Sequence, residues 1–235
     1  MARHLLIRLQ APLIAFGGEA IDSYGVIRDF PALSMITGML ANAMGWDRSD
    51  GDAHNRLQAR LRVGARLDNS GERITDFQTA QLGANDKGWT TWGKVESRGG
   101  ASYASPHLRY RDYHSGMNVL VALRLEHADD GPTLEDVARA LDKPQRPLFI
   151  GRKSCLPVDR LVQGWIYADN VLQALQLAKS PEGCRMRAQW PQGEGSLDGG
   201  DRAVDVCDER NWISGVHGGW RAVREGVIEF EETKA

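Results

Sequence analysis

The chain has 235 residues, 42% of them hydrophobic and 26% charged, with a formal net charge of −2. That length can bury a substantial core, as one large domain or two small ones, and the near-neutral charge excludes a generic polyanion binder. No apolar run reaches the roughly 18 residues that span a bilayer, and three widely spaced cysteines (Cys155, Cys184 and Cys207) without a CxxC pair exclude a disulfide scaffold and give a zinc cage no support.

Residues 4–10, HLLIRLQ, alternate as a first strand does. The stretch MARHLLIRLQAPL is basic and briefly apolar, but Arg8 interrupts it and no small-residue cleavage site follows. A reduced, cytoplasmic protein without a signal peptide is therefore expected. The glycine-rich APLIAFGGEAIDSYGVIRDFP reads as a long loop. Pro31 then opens a helix through Met44, in which Ile36, Met39, Leu40 and Ala43 recur at helical spacing and Gly45 stands where a C-terminal cap belongs. Strands are predicted over 60–68 and 74–82, joined by the turn NSGE.

From Gly83 to Gly116 the pattern changes. This stretch holds Trp89, Trp92, Tyr103, Tyr110 and Tyr113 with no sustained helical period, and reads as a long excursion, a hairpin projecting from the main body. MNVLVALRLE (117–126) is the strongest strand pattern in the chain. TLEDVARAL (133–141) is a short helix with capping groups in Thr133 and Asp136. RLVQGWIYA (160–168) resembles a strand, and DNVLQALQLA (169–178) a helix with Asp169 at its cap. CRMRAQW is a further strand within the turn-rich, acidic region 179–211. The order strand, helix, strand, excursion, strand, helix, strand is the ferredoxin-like or RNA-recognition arrangement with an insertion, an α+β fold. Such a fold does not by itself establish RNA binding.

Charge is segregated along the chain. Lys143 to Arg160 carries a net +4, whereas Glu194 to Glu209 carries six acids and one arginine. Within the basic stretch, PLFIGRKSCLP (147–157) gathers a glycine, two cations and a serine between two prolines. It is not a Walker A loop, because the first glycine of GxxxxGK[ST] is missing. Flexible backbone N–H groups, an arginine fork, an ammonium and a hydroxyl are nonetheless the parts of a phosphate-oxygen site, although a solvated surface turn accounts for the same residues. The start of the 31–44 helix is a second candidate anion site, with Arg28 and Ser34 close in sequence.

Three blocks in order, LIRLQAPLIAFGGEAID, RDFPALSMITGMLANAMGW and PLFIGRKSCLP, resemble the CasD family, the five-prime-handle subunits of type I-E CRISPR Cascade in the RAMP superfamily. The P-x-x-x-[WF]-G pattern is met by Pro12, Phe16 and Gly17, with phenylalanine in place of the commoner tryptophan. F-P-x-x-S-x-x-x-G is met by Phe30, Pro31, Ser34 and Gly38, and G-R-[KR]-S-C by Gly151 to Cys155.

The resemblance implies a palm of modified ferredoxin-like or RNA-recognition fold in two parts, 1–76 and 117–235, the second with a degenerate C-terminal region. A long β-hairpin thumb would be inserted at 77–116. It also implies a non-catalytic subunit that grips the 5′ handle of CRISPR RNA and caps one end of the Cascade backbone. Its partners would be the backbone and large subunits, with target DNA met only through the assembled complex. Neither membrane contact, metal nor cofactor is expected. The candidate RNA-binding residues are Arg28, Ser34, Arg109, Arg111, Gly151, Arg152, Lys153 and Ser154, with Trp89 and Trp92 as partner or base contacts. The acidic stretch could repel misplaced RNA or face a basic partner.

An enzyme reading stands beside this one. The related type I-C subunit is a metal-independent endoribonuclease, and RYRDYHSG places Tyr110 and His114 where a base and its neighbour could act. A small-molecule enzyme has no support, since there is no GxSxG elbow, dinucleotide fingerprint or metal-spaced cluster.

Overall fold

The computed structural model describes residues 1–18, 22–81, 83, 87–89, 95–96, 105–180 and 184–230. In chain order, β1 (Ala2–Gln10), β2 (Leu13–Ile14) and β3 (Tyr24–Gly25) lead into α1 (Leu33–Ala43) and α2 (Gly51–Arg60). Then come β4 (Leu61–Asn69), β5 (Glu72–Ala80), β6 (Gly88–Trp89), β7 (Val95–Glu96), β8 (His107–Ser115) and β9 (Asn118–Leu125). The chain continues through α3 (Leu134–Asp142), β10 (Val162–Ala168), α4 (Val171–Leu177), β11 (Arg185–Pro191), β12 (Asp201–Cys207) and β13 (Trp220–Glu229).

Seven strands make one antiparallel sheet in the order β10-β1-β9-β4-β11-β13-β12. The protein is a mixed α+β fold with layers on both faces of this sheet. On one face Leu5, Ile7 and Leu9 of β1, Val63 of β4 and Val121 of β9 pack against α1, α2 and α3. On the other, Ala122 meets Val171, Leu172 and Leu175 of α4, together with Trp190 and Ile228. Central β9 is buried at five consecutive residues, Val119 to Leu123, because both of its faces are covered, which is why its sequence is an unbroken apolar run.

Helix ends follow local and remote chemistry. Thr133 and Asp136 form a capping box at α3, as the sequence predicts. At α4 the cap is Asn170 rather than Asp169: the Gln173 N–H donates to Asn170 Oδ1 at 2.9 Å. Asp169 instead pairs with the N-terminal amine at 3.2 Å. The far end of α4 is closed by Arg66, whose fully buried guanidinium donates to the carbonyls of Leu175, Ala178 and Lys179 at 2.6, 3.0 and 3.1 Å.

The fold departs from expectation in three places. The helix α2 is absent from the sequence reading because GDAHNRLQAR has little apolar period, and it is held instead by burial of His54, Leu57 and Gln58. The strands β12 and β13 lie in and beyond a region read as acidic turns. Their charges are satisfied across the ladder, with Arg224 on Asp201 at 2.6 Å and Arg202 on Glu225 at 3.0 Å. Finally, β4 and β5 are joined by a turn at Gly71 but do not pair: β4 stays in the main sheet, while β5 runs antiparallel to β8 over its whole length.

Candidate functional site

A groove of about 1000 Å³ runs along α1, from Ser34 and Met35 in its first turn to Asn42 near its end. One wall is Ala15 to Gly18 with the 149–153 bend, and the other is the C-terminal segment from Cys207 to His217. Arg28, Arg48, Arg146, Arg152, Lys153 and Arg210 line it, against one carboxylate among the described lining residues, Asp208. The groove is therefore electropositive within a chain of net charge −2.

The bend is built around two buried anchors, Ile150 and Cys155. The Ile150 N–H donates to the Cys155 carbonyl at 2.7 Å, and the Cys155 N–H to the Arg152 carbonyl at 2.9 Å. Burial pushes the Cys155 thiol above its ordinary range, so it is a packing group. Gly151 sits at φ +88°, and a Cβ there would stand 1.8 Å from the Ala15 carbonyl oxygen. Only glycine fits that position.

Arg152 is more constrained than the sequence suggests. Its two terminal nitrogens donate to the carbonyls of Asp112 and Gly25, both at 2.8 Å, and its guanidinium lies 4.6 Å from the centre of the Tyr113 ring. Arg152 therefore ties the bend to β3 and β8 and is not a freely solvated cation of a surface turn. Lys153 and Ser154 are exposed, and among the described residues Lys153 has no ion-pair partner. Arg109 and Arg111 stand at alternate positions of β8, on one face of the β5–β8 ladder, and are likewise exposed. The Arg111 side chain shares Gly25 with Arg152: a Cβ on that glycine would meet Arg152 Nη2 at 2.8 Å and Arg111 Cγ at 3.7 Å. A basic track thus continues from the bend onto β8.

The second candidate anion site is corrected. The first turn of α1 has no side-chain cap of its own at Ala32. Its anion comes from 175 residues away: the Leu33 N–H donates to Asp208 Oδ2 at 3.0 Å, and the Ser34 N–H to the Asp208 carbonyl at 3.0 Å. Arg221 binds the same carboxylate through two contacts of 2.8 Å. Ser34 is buried, and the next two N–H groups, of Met35 and Ile36, both donate to the Ala32 carbonyl, at 3.0 and 3.1 Å. Much of the acidic stretch is used in this way, since Glu194 also caps α4 through the Val171 N–H at 3.1 Å and pairs with Arg124. Arg28 donates to the Cys207 carbonyl at 2.8 Å, joining the two walls.

Gly38 also has a physical reason. The Trp212 ring packs so closely that a Cβ on Gly38 would meet Cη2 at 3.0 Å. Trp212 is pinned through its Nε1–H to Gln58 Oε1 at 3.0 Å and lies stacked on His54.

The residues of the enzyme reading sit elsewhere. His114 is 6% exposed, and its Nε2 lies 3.0 Å from the Arg28 carbonyl oxygen. Tyr110 stacks on Tyr24 with ring centres 5.0 Å apart. Trp92 lies outside the described residues, and of Trp89 only the backbone, in β6, is described. Sequence reading missed Arg48, Asp208, Arg210, Trp212 and His217. No local pattern marks them, because Arg48 lies in the α1–α2 connection and the other four in the segment between β12 and β13, and only the tertiary fold brings them to the groove.

Comparison with known proteins gives concordant results. A family model described as "CRISPR-associated protein (Cas_Cas5)" matches residues 4–224. The chain is 26% identical over 176 residues to the CRISPR system Cascade subunit CasD of Escherichia coli (strain K12), covering 74% of this chain and 76% of that one. Its fold is similar to a chain of a CRISPR RNA-guided surveillance complex, with a TM-score of 0.74 at 22% identity over 98% of this chain and 92% of the other. A Cas protein known from a crystal structure matches with a TM-score of 0.63 at 26% identity, covering 99% and 100% of the two chains.

Proposed function

The chain belongs to the Cas_Cas5 family of CRISPR-associated proteins, and from that premise we propose that it is a non-catalytic RNA-binding subunit of a Cascade-type ribonucleoprotein complex. It grips the 5′ handle of CRISPR RNA in the groove above α1 and caps one end of the backbone. The observation that carries this reading is the convergence of Lys153, Arg28 and the Gly151 bend on one electropositive groove, continued by Arg111 and Arg109. A single strand with its phosphates and 2′-hydroxyls exposed matches such a surface. Neighbouring subunits would complete a grip that one chain of modest charge makes only in part.

In this reading β1, β4, β9 and β10 with α1 and α3 are the palm, and their adjacency as β10-β1-β9-β4 supports a ferredoxin-like origin. The β5–β8 ladder is the base of the thumb, so the part free to be shortened is 81–106 rather than a span that cuts into β8. Co-expressed with its operon neighbours, the full chain is expected to be recovered in a complex carrying CRISPR RNA. A chain with 81–106 replaced by a short linker is expected to fold yet stay outside it. Normal assembly of the shortened chain contradicts the thumb assignment, and recovery of the full chain free of RNA and partners contradicts the subunit role.

The ribonuclease alternative gains nothing from the geometry around His114, since a general base must reach the 2′-hydroxyl it deprotonates. With metal chelated, the purified protein should leave a labelled repeat transcript uncut. Cleavage at the base of the handle, abolished by His114→Ala, would establish the enzyme instead.

A further inference from the structure

The C-terminal wall of the groove holds a cluster that neither the motifs nor the GRKS bend includes. Arg48, from the α1–α2 connection, and Arg210, from the turn after β12, both approach Gly215. Arg210 Nη2 lies 3.3 Å and Arg48 Nη2 3.6 Å from the place a Cβ on that glycine would occupy. Two guanidiniums are neighbours there, and among the described residues neither has a carboxylate partner. The Arg210 Nε is buried without an acceptor, while its guanidinium is held 5.0 Å from the centre of the Trp212 ring. His217 pairs with Arg210 in an isolated β-bridge and lines the same wall. Nearby, the Asp208 carboxylate is consumed by Arg221 and the α1 N-terminus, and the Glu209 carboxylate lies against Gly219.

Bringing like charges together costs free energy unless an anion sits between them. Guanidinium forks match phosphate oxygens bidentately, and imidazole adds one more N–H donor. We infer that Arg48, Arg210 and His217 form a phosphate-binding subsite, separate from the GRKS bend, that takes a backbone phosphodiester of the strand lying in the groove. The inference rests on the RNA reading for its ligand, though the site stands on geometry of its own. The titration of His217 agrees: burial first, then the charges of Arg210 and Arg28, hold its pKa below the ordinary histidine value, as expected of an imidazole beside cations awaiting a counter-ion.

The test follows the His217 imidazole of the full chain by NMR through pH, in inorganic phosphate and in chloride at equal ionic strength. Phosphate should raise the His217 pKa, because a bound anion favours the imidazolium. Arg48→Gln with Arg210→Gln should abolish that phosphate-dependent rise. Neither change removes a core group, and circular dichroism checks that the variant is folded. A His217 titration unmoved by phosphate, or moved equally in the double variant, overturns the subsite. Salt dependence of RNA binding then identifies the source of the phosphate. If the strand supplies it, the slope of log affinity against log salt flattens in the double variant by roughly 0.7, the single-strand value for one phosphate. An unchanged slope in a protein that binds RNA overturns the phosphodiester assignment. A phosphate-dependent shift in a protein with no RNA affinity leaves the subsite standing and removes the groove reading.

Discussion

Asp208→Ala is expected to destabilise the protein by about 3–5 kcal/mol, the range for removing one partner of a buried charge pair. The Asp208 side chain is 4% exposed and the Arg221 side chain 15%, so the guanidinium left behind keeps little water to replace its partner. The same substitution removes the acceptor of the Leu33 N–H at the start of α1, where Ala32 offers no side-chain cap. Against a total stability of about 5–15 kcal/mol the loss is large. Asp208→Asn keeps an oxygen for Leu33 but not the charge for Arg221, and should fall between wild type and alanine. Urea unfolding monitored by circular dichroism measures both. A loss below about 1 kcal/mol for alanine would mean that the C-terminal region does not hold α1 as described.

The second large effect is expected at Gly151. Any Cβ at this position meets backbone, 1.8 Å from the Ala15 oxygen and 2.7 Å from its carbonyl carbon, and backbone cannot swing aside as a flexible side chain can. The φ of +88° adds the steric penalty of left-handed backbone, about 1–2 kcal/mol for a residue with a side chain. Forced overpacking adds about 1–3 kcal/mol more. Gly151→Val should therefore lose several kcal/mol and, in any protein that stays folded, displace the bend that carries Lys153 and the Arg152 tie to Asp112 and Gly25. Gly151→Ala should behave nearly as badly, because the clash begins at Cβ. An alanine variant of wild-type stability and RNA affinity would contradict this account of the bend.

The contrast between these two positions shows what a sequence can reveal. Gly151 lies inside a compact motif whose glycine, cations and flanking prolines are visible within eleven residues, and its left-handed conformation follows from the turn it makes. Asp208 acts on a helix 175 residues away, and nothing near it in sequence says which N–H it serves. The same distinction divides the fold. β1, α1 and α3 are legible because each buries a face with its own period, and β9 because its apolar run is unbroken; α3 also carries its cap in Thr133 and Asp136. By contrast α2, β12 and β13 are polar segments stabilised by partners on other elements, such as the Arg224–Asp201 pair. At the site, Lys153 and Arg111 keep the exposure that their charge suggests, whereas Arg152 is spent on backbone carbonyls and Ser34 lines the groove almost buried.

The central claim, that the groove and its continuation on β8 hold the phosphates of single-stranded RNA, is tested most directly by the salt dependence of handle-RNA binding. The comparison is between wild type and the double variant Lys153→Ala with Arg111→Ala. Both side chains are exposed and neither has an ion-pair partner among the described residues, so stability should change by no more than about 0.5 kcal/mol for each. The account predicts weaker binding and a slope of log affinity against log salt flatter by roughly 0.7 per lost contact, about 1.4 in all. A folded double variant with unchanged affinity and an unchanged slope would contradict it.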